Sequence, residues 1–459
     1  MSLTQDSNLH QHLVDMEKLI DERREIYLEQ LFTLLRQKSI SAQNIGILET
    51  ATMLRGMMED IGINARLIET DGHPVVYGEV IRHPGAFTLL IYGHYDVQPA
   101  ELADGWNSPP FEPTIRDGRI YCRGAGDNKG QLMAQLMAVK TYLDVRHSLP
   151  INVKFMFEGE EESGSPNLAV FVEQHKELLA CDLVYTSDGP LHETGLPMVV
   201  LGVRGMLYVE LSCQTSKWDN HSGNKGNIVP NPAMRLIQLL ASMRDGEDGR
   251  VLIDGFYDNV QEPTEAERAH LRQLPYDNAQ AGRQAGYEEL DMDAETYYRR
   301  LMYEPTLNIC GFSSGYSGEG SKTIIPAKAT VKMDMRLVAG QDPDDIYQKL
   351  CAHVARHAPG VEVRHLGDMK PSRTPVHHPL VQQVIAAVES AYRQPPVVAP
   401  ALGGSLPDYV WTQILGVPSV LVPYANSDEA NHSPNENIGV ENFVNGIRCA
   451  CHVIDRIGR

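Results

Sequence analysis

Thr88–Asp96, T-L-L-I-Y-G-H-Y-D, is the stretch from which the fold can be read. Thr88, Leu89, Leu90 and Ile91 form the apolar run of a buried strand, which ends at Gly93 before a histidine and an aspartate two residues apart. Side chains two apart on an extended chain point the same way, so His94 and Asp96 leave the strand side by side. In an open α/β sheet the site lies at the carboxyl ends of the strands. A metal-binding histidine commonly has its second ring nitrogen held by a carboxylate. The surrounding chain is therefore read as bringing further ligands to His94.

Before this strand, apolar residues at helical spacing predict an amphipathic helix over about Leu13–Lys38, and a second runs from about Asn44 to Asp60 with Gly62 at its end. Strands are expected at Ala65–Thr70 and Val75–Val80. After it come a long Pro/Gly-rich loop, a short strand at Arg119–Cys122, R-G-A-G-D-N-K-G (Arg123–Gly130) and a helix from Gln131 to about Val145. Strand Ile151–Phe157 leads into E-G-E-E-E-S-G-S (Glu158–Ser165), and strand Leu183–Thr186 ends at Ser187-Asp188. Four strand ends in turn then carry His94, Asp127, the Glu160–Glu162 run and Asp188. Repeated strand–acid–helix units predict an α/β layered domain, a central sheet with helices on both faces.

The pattern changes near Arg204. Strands at Met206–Cys213, Thr323–Ile325 and Thr330–Leu337, helices at Pro232–Met243 and Asp344–Arg356, and a polar, helix-prone span at Arg244–Tyr303 read as an inserted α+β domain. Helix Pro379–Arg393, strand Ser419–Pro423 and helix Val440–Ile457 return to α/β character. The expected division is 1–204 and 373–459 for the catalytic domain and 205–372 for the insertion. With 459 residues the chain is too long for one core.

Formal charge of −20 argues against nucleic acid or an anionic membrane as partner. No run approaches the roughly 18 apolar residues of a membrane span, and the first residues lack the basic and apolar regions of a signal peptide. Seven scattered cysteines with no C-x-x-C pair are expected to be reduced thiols in a cytoplasmic protein.

Taken singly, each candidate has an ordinary reading. His94 is a hydrogen-bonded strand end, Asp127 a helix N-cap, the glutamate run a solvated turn, Asp188 a turn residue and His432 a loop histidine. Taken together, two histidines and three carboxylates delivered to one end of an α/β domain suit two divalent ions. Paired ions about 3.5–4 Å apart need a bridging ligand, for which Asp127 is the natural choice. A further acid is needed to take a proton from the attacking water, and the glutamate run has one to spare.

G-H-Y-D-V-Q-P, R-G-A-G-D-N-K-G, E-G-E-E-E-S-G-S, T-S-D-G, N-H-S-G, D-M-R-L-V, G-G-S-L-P and N-H-S-P-N-E follow in order from Gly93 onward. Together they resemble the co-catalytic zinc metallopeptidases that include carnosine dipeptidases, aminoacylases, glutamate carboxypeptidase and succinyl-diaminopimelate desuccinylase. The cytosolic non-specific dipeptidase branch is the nearest by eye. The resemblance implies that His94 and Asp188 bind one ion and Glu162 and His432 the other, with Asp127 bridging through a cis Asp127–Asn128 peptide. It implies that Asp96 orients His94, that Glu161 is the general base, and that His221 stabilises the oxyanion, often of the partner subunit. Arg336 would grip the substrate carboxylate, with Gly403, Gly404 and Ser405 lining the same pocket. Zn²⁺ is the expected ion, and these ligands also accept Mn²⁺ or Co²⁺. The ordinary readings of the second group remain: a surface loop for His221, a structural ion pair for Arg336, a plain turn for Gly403–Gly404.

The expectation is therefore a cytoplasmic homodimeric two-metal amidohydrolase, assembled through a lid/dimerisation insertion and cleaving small substrates with a free carboxylate, a dipeptide first of all. Relatives often carry an acid two positions before the second glycine of G-G-S, where this chain has Leu402. That favours the rival reading of an N-acyl-amino-acid deacylase. A non-catalytic metal-binding scaffold is the rival of another class, and the intact Glu161 speaks against it.

Overall fold

The computed structural model describes residues 3–457 apart from 288 and 289. It divides into two compact units. The first comprises Met1–Gly202, Arg373–Pro400 and Val410–Arg459; the second comprises Val203–Ser372 and Ala401–Tyr409. The sequence places Ala401–Tyr409 with 373–459, yet these residues group with the second unit. Arg204 Nε donates to Gly403 O (2.8 Å) and Arg336 Nη1 to Ser405 Oγ (2.8 Å), which ties the loop there.

The first unit is built on an eight-stranded mixed sheet. Its strands lie in the order Asn64–Ile68, Val75–Val80, Asn152–Glu158, Thr88–His94, Leu183–Thr186, Ser419–Leu421, Met198–Val200 and Val397–Ala399. The four from Asn152–Glu158 to Ser419–Leu421 run parallel. They read as nearly continuous apolar runs because both faces are covered: all of Leu89–His94 is buried. Thr88–His94 runs one residue beyond the expected end at Gly93, so His94 itself is its last residue.

Helix Lys129–Arg146 is buried almost all round over its first three turns, as expected of a helix that reads apolar and small on every side. Its buried polar residues are partnered. Lys129 Nζ donates to Leu34 O (3.3 Å) and Gln37 O (2.6 Å), capping the C-terminal end of helix Arg24–Arg36 from inside. Helix Val440–Arg456 packs along it. The expected opening helix is two, Leu3–Glu22 and Arg24–Arg36, parted at Arg23, whose guanidinium pairs with Asp144.

The second unit holds a four-stranded antiparallel sheet in the order Asn308–Ser314, Lys328–Leu337, Gly205–Gln214 and Glu362–Met369. Alternate residues of Gly205–Gln214 and Lys328–Leu337 point inward, as in a sheet with one wet face. Leu207, Val209, Val331 and Met333 share a core with residues of helices Pro232–Met243 and Pro343–His357. The polar span forms three short helices, Glu265–Leu271, Asn278–Gln284 and Ala294–Tyr303; residues 288 and 289 within it lie outside the described residues. Strand Asn308–Ser314, not foreseen from the sequence, lies at the edge of the sheet with most of its residues exposed. No helix among the described residues is long and apolar enough to cross a membrane.

Candidate metal centre

The site grows from the carboxyl end of Thr88–His94. His94 Nδ1 faces the Asp96 backbone oxygen at 3.1 Å and its carboxylate at 3.4 Å. The same buried carboxylate accepts the backbone N–H groups of Glu161 (3.2 Å) and Glu162 (3.1 Å). One side chain thus fixes both a histidine ring and the glutamate turn beside it. That turn follows strand Asn152–Glu158 and begins with Glu160, which the structure uses locally: it accepts from His73 N (3.1 Å) and Asn167 Nδ2 (2.9 Å). The solvated-turn reading holds for none of the three glutamates.

Asp127 arrives differently from expectation. It does not extend from a central strand. Strand Arg119–Tyr121 belongs to a separate three-stranded sheet with Thr114–Arg116 and Asn437–Gly439. The loop after it crosses to the site and enters helix Lys129–Arg146 through a cis Asp127–Asn128 peptide. Two features hold this loop. Glu436, fully buried, accepts from Gly126 N (2.9 Å) and Asp127 N (3.0 Å) and pairs with buried Arg123 (2.5 Å). Asn128 Nδ2 donates to Ser187 O (2.6 Å), next to Asp188.

His94 Nε2 lies 3.1 Å from Asp127 Oδ1 and 3.7 Å from Asp188 Oδ2. His432 Nε2 lies 3.1 Å from Asp127 Oδ2 and 2.9 Å from Glu162 Oε2. The five residues thus form two triads, His94–Asp127–Asp188 and Asp127–Glu162–His432, sharing Asp127 with one oxygen toward each histidine. His432 takes a left-handed backbone conformation (φ 55°), as does Ala430 (φ 56°), so the loop doubles back to present the ring. Glu161 Oε2 sits 3.9 Å from His94 Nε2.

The electrostatics fit a pair of cations. Burial works against a charged His94, but Asp127, Asp188 and Asp96 outweigh it and hold the imidazolium well above its ordinary range. Asp127 and Glu162 push His432 up to about 10. Burial would raise Asp127, yet His432 and His94 pull it below the usual carboxylate range. Burial, then Asp188, Asp127 and Glu162, push Glu161 well above that range. His94 Nε2 is buried and makes no aligned hydrogen bond despite its close oxygens, as ligand atoms do when they converge on a common point. The carboxylates of Asp127, Asp188, Glu161 and Glu162 are the charge that two dications neutralise. The residues present fit such a pair.

The remaining predicted residues lie in the second unit. His221, exposed, ends the two-residue strand Asn220–His221, and its Nδ1 accepts from Gly223 N (3.0 Å). Arg336 bonds Ser405 and faces Asp334 (3.4 Å), and the loop carrying Gly403 and Gly404 is held by Arg204. Sequence reading missed Glu436, Arg123, Asn128 and Arg204. Arg123, Asn128 and Glu436 stood inside quoted motifs, and their signal was a polar residue beside an apolar or ligand position with no role yet given.

A model of peptidase family M20/M25/M40 matches residues 90–456. The chain is 32% identical over 390 residues to the Beta-Ala-His dipeptidase of Homo sapiens, covering 82% of this chain and 76% of that one. It is 31% identical over 414 residues to the Cys-Gly metallodipeptidase DUG1 of Saccharomyces cerevisiae, covering 85% and 84%. Among solved structures, an M20 family metallo-carboxypeptidase, Sso-CP2 from Sulfolobus solfataricus, superposes with a TM-score of 0.88 at 38% identity, covering 94% of this chain and 99% of that one. Human carnosine dipeptidase 1 superposes with a TM-score of 0.81 at 26% identity, covering 97% and 98%.

Proposed function

This chain belongs to peptidase family M20/M25/M40, and from that premise we propose how its residues divide the work of a metallodipeptidase. The observation that carries the reading is the shared Asp127, with one carboxylate oxygen toward each of two histidines. His94 and Asp188 would hold one divalent ion and Glu162 and His432 the other, with Asp127 between them. The mixed nitrogen and oxygen donors suit Zn²⁺ and accept Mn²⁺ or Co²⁺. When bound, the ions supply Lewis acidity toward the scissile carbonyl and toward water.

Glu161 takes the proton of the attacking water and passes it to the leaving amine. Its place supports this role: its carboxylate lies 3.9 Å from His94 Nε2, and its backbone is fixed beside Glu162 by Asp96. Asp96 keeps His94 and the Glu161–Glu162 backbone in register. His221 stabilises the oxyanion as a donor; with Nδ1 engaged by Gly223, its Nε2 is left to carry the proton. Arg336, with Gly403, Gly404 and Ser405, receives the substrate's free carboxylate. Leu402, where an acid would greet a free amine, keeps an N-acyl-amino-acid deacylase as the second reading.

The second unit serves as lid and dimerisation domain of a homodimer. The edge strand Asn308–Ser314 with exposed Ile309 and Phe312, and exposed Met234 and Ile237 on helix Pro232–Met243, support that use. The seven free cysteines support a cytoplasmic setting.

Glu161→Gln tests the mechanism. The variant is expected to retain two ions per chain by elemental analysis and to lose dipeptide hydrolysis by at least about a hundredfold, the low end of what general acid–base catalysis contributes. Hydrolysis at the wild-type rate with full metal would refute the role.

A further inference from the structure

We propose that Arg204 supplies the uncompensated positive charge that holds the substrate's carboxylate beside Arg336, and so sets the demand for a free acid. The inference deepens the dipeptidase reading above and rests on it.

The charge of Arg336 is already spent within the protein. Its Nε faces Asp334 Oδ2 at 3.4 Å, and its Nη1 donates to Ser405 Oγ at 2.8 Å. A substrate carboxylate approaching Arg336 alone would meet a guanidinium sharing its charge with a neighbouring acid, and Coulomb attraction would be correspondingly weak. Arg204 differs. Among the described residues its guanidinium makes no ion pair and its two Nη groups make no hydrogen bond, and the acid that acts on it, Asp334, is the one that already faces Arg336.

Arg204 is nevertheless held in place. Its Nε donates to Gly403 O (2.8 Å), and its backbone N donates to Leu402 O (3.3 Å) and Gly404 O (3.2 Å). It therefore clasps the same three-residue loop whose Ser405 is held by Arg336. A Cβ at 403 would come within 2.6 Å of Leu301 Cδ1 and 3.4 Å of Arg204 Nη2, so glycine lets the loop lie close against both side chains. Burial, and then the neighbouring charge of Arg336, press the Arg204 guanidinium down to about 10, which leaves it cationic at neutral pH. Two guanidiniums against one carboxylate leave one net positive charge on a pair of forks that both hold the 403–405 loop. An unpaired cation that the fold half-buries and fixes is costly unless an anion completes it. A single substrate carboxylate neutralises the group.

The test compares L-alanyl-L-alanine with its C-terminal amide on metal-loaded full-length protein. Wild type is expected to favour the free acid by about a hundredfold or more in kcat/KM. Arg204→Gln keeps a donor for Gly403 O but no charge, and should lower that ratio at least tenfold, mainly through KM for the acid. Arg204→Lys keeps the charge and should restore most of the ratio. Asp334→Asn removes the competing carboxylate and should lower KM for the free acid, a readout that does not depend on how well Arg204 variants fold. An unchanged acid-to-amide ratio in Arg204→Gln overturns the proposal. So does an equal loss of kcat on both substrates, which would make Arg204 only a clasp for the loop. Failure of the wild type to cleave either substrate would instead strike the dipeptidase reading.

Discussion

Glu436→Ala should damage the site without touching a ligand. Glu436 is 0% exposed and its partner Arg123 3%. The carboxylate accepts three hydrogen bonds, from Arg123, Gly126 N and Asp127 N. Deleting it leaves a buried guanidinium without its anion, a loss of about 3–5 kcal/mol. Among the described residues Arg123 then keeps the face of Trp106, 5.4 Å away, as a partner for its charge. Two backbone N–H groups lose their acceptor as well, at about 1–3 kcal/mol each where water cannot replace it. These terms overlap, so a total near 5 kcal/mol is a fair working figure against a native stability of about 5–15 kcal/mol. At about 2 °C per kcal/mol for a unit of this size, the melting temperature should fall by roughly 10 °C. Because Asp127 is then no longer held by its backbone, metal affinity should fall by about 10–100-fold, as for other supports behind a ligand. Calorimetry and chelator-competition titration read the two effects separately. Pairing the change with Arg123→Met should recover part of the stability, since the stranded charge goes too. A melting temperature within about 2 °C of wild type together with unchanged metal affinity would refute the reasoning.

Burial pushes Glu158 up to about 7 despite hydrogen bonds from Tyr92 and Ser165. Its folded form therefore binds a proton more tightly than the unfolded chain does, whose value is near 4.5. The stability it contributes is full below pH 4.5 and is lost as pH rises through about 7. In chelator-treated protein, Glu158→Gln should flatten the fall in melting temperature between those limits; an identical slope in both proteins would count against it. Phe312→Glu, on the exposed edge strand, should convert the proposed dimer to monomer in light scattering. A dimer that survives this change, or a monomeric wild type, would remove the assignment of that edge.

Where a residue's position depends on local periodicity, the chain was legible. His94 and Asp96 follow from a two-residue repeat on a buried strand, and the three glutamates from the end of the next. Asp127 was legible as a motif but not as a position. Its short strand pairs with Thr114–Arg116 and with Asn437–Gly439, and nothing local in R-G-A-G-D shows a partner some three hundred residues away. Glu436 and Arg123 were illegible for the same reason: what they bind is backbone and opposite charge brought in from far along the chain. The reading of Leu13–Lys38 as one helix failed at Arg23, whose ionic partner Asp144 lies on another helix. Strand Asn308–Ser314 was missed because an edge strand with two wet faces lacks the alternation that marks a half-buried one.

The strand order has a consequence for how the chain comes into being. Ser419–Leu421 lies between Leu183–Thr186 and Met198–Val200, and His432 follows it. On a ribosome, the first two hundred residues emerge with a sheet that cannot close and four clustered carboxylates that lack their second histidine. Neither the sheet nor the centre can be finished until the segment beyond residue 432 is released. The nascent chain must therefore wait in a partly open state, while the main segment of the second unit, 203–372, is made and can begin to fold before its 401–409 loop arrives. The two triads are thereby separated in time: His94, Asp127 and Asp188 are all made early, whereas the triad of Asp127, Glu162 and His432 has its imidazole only when translation is nearly over.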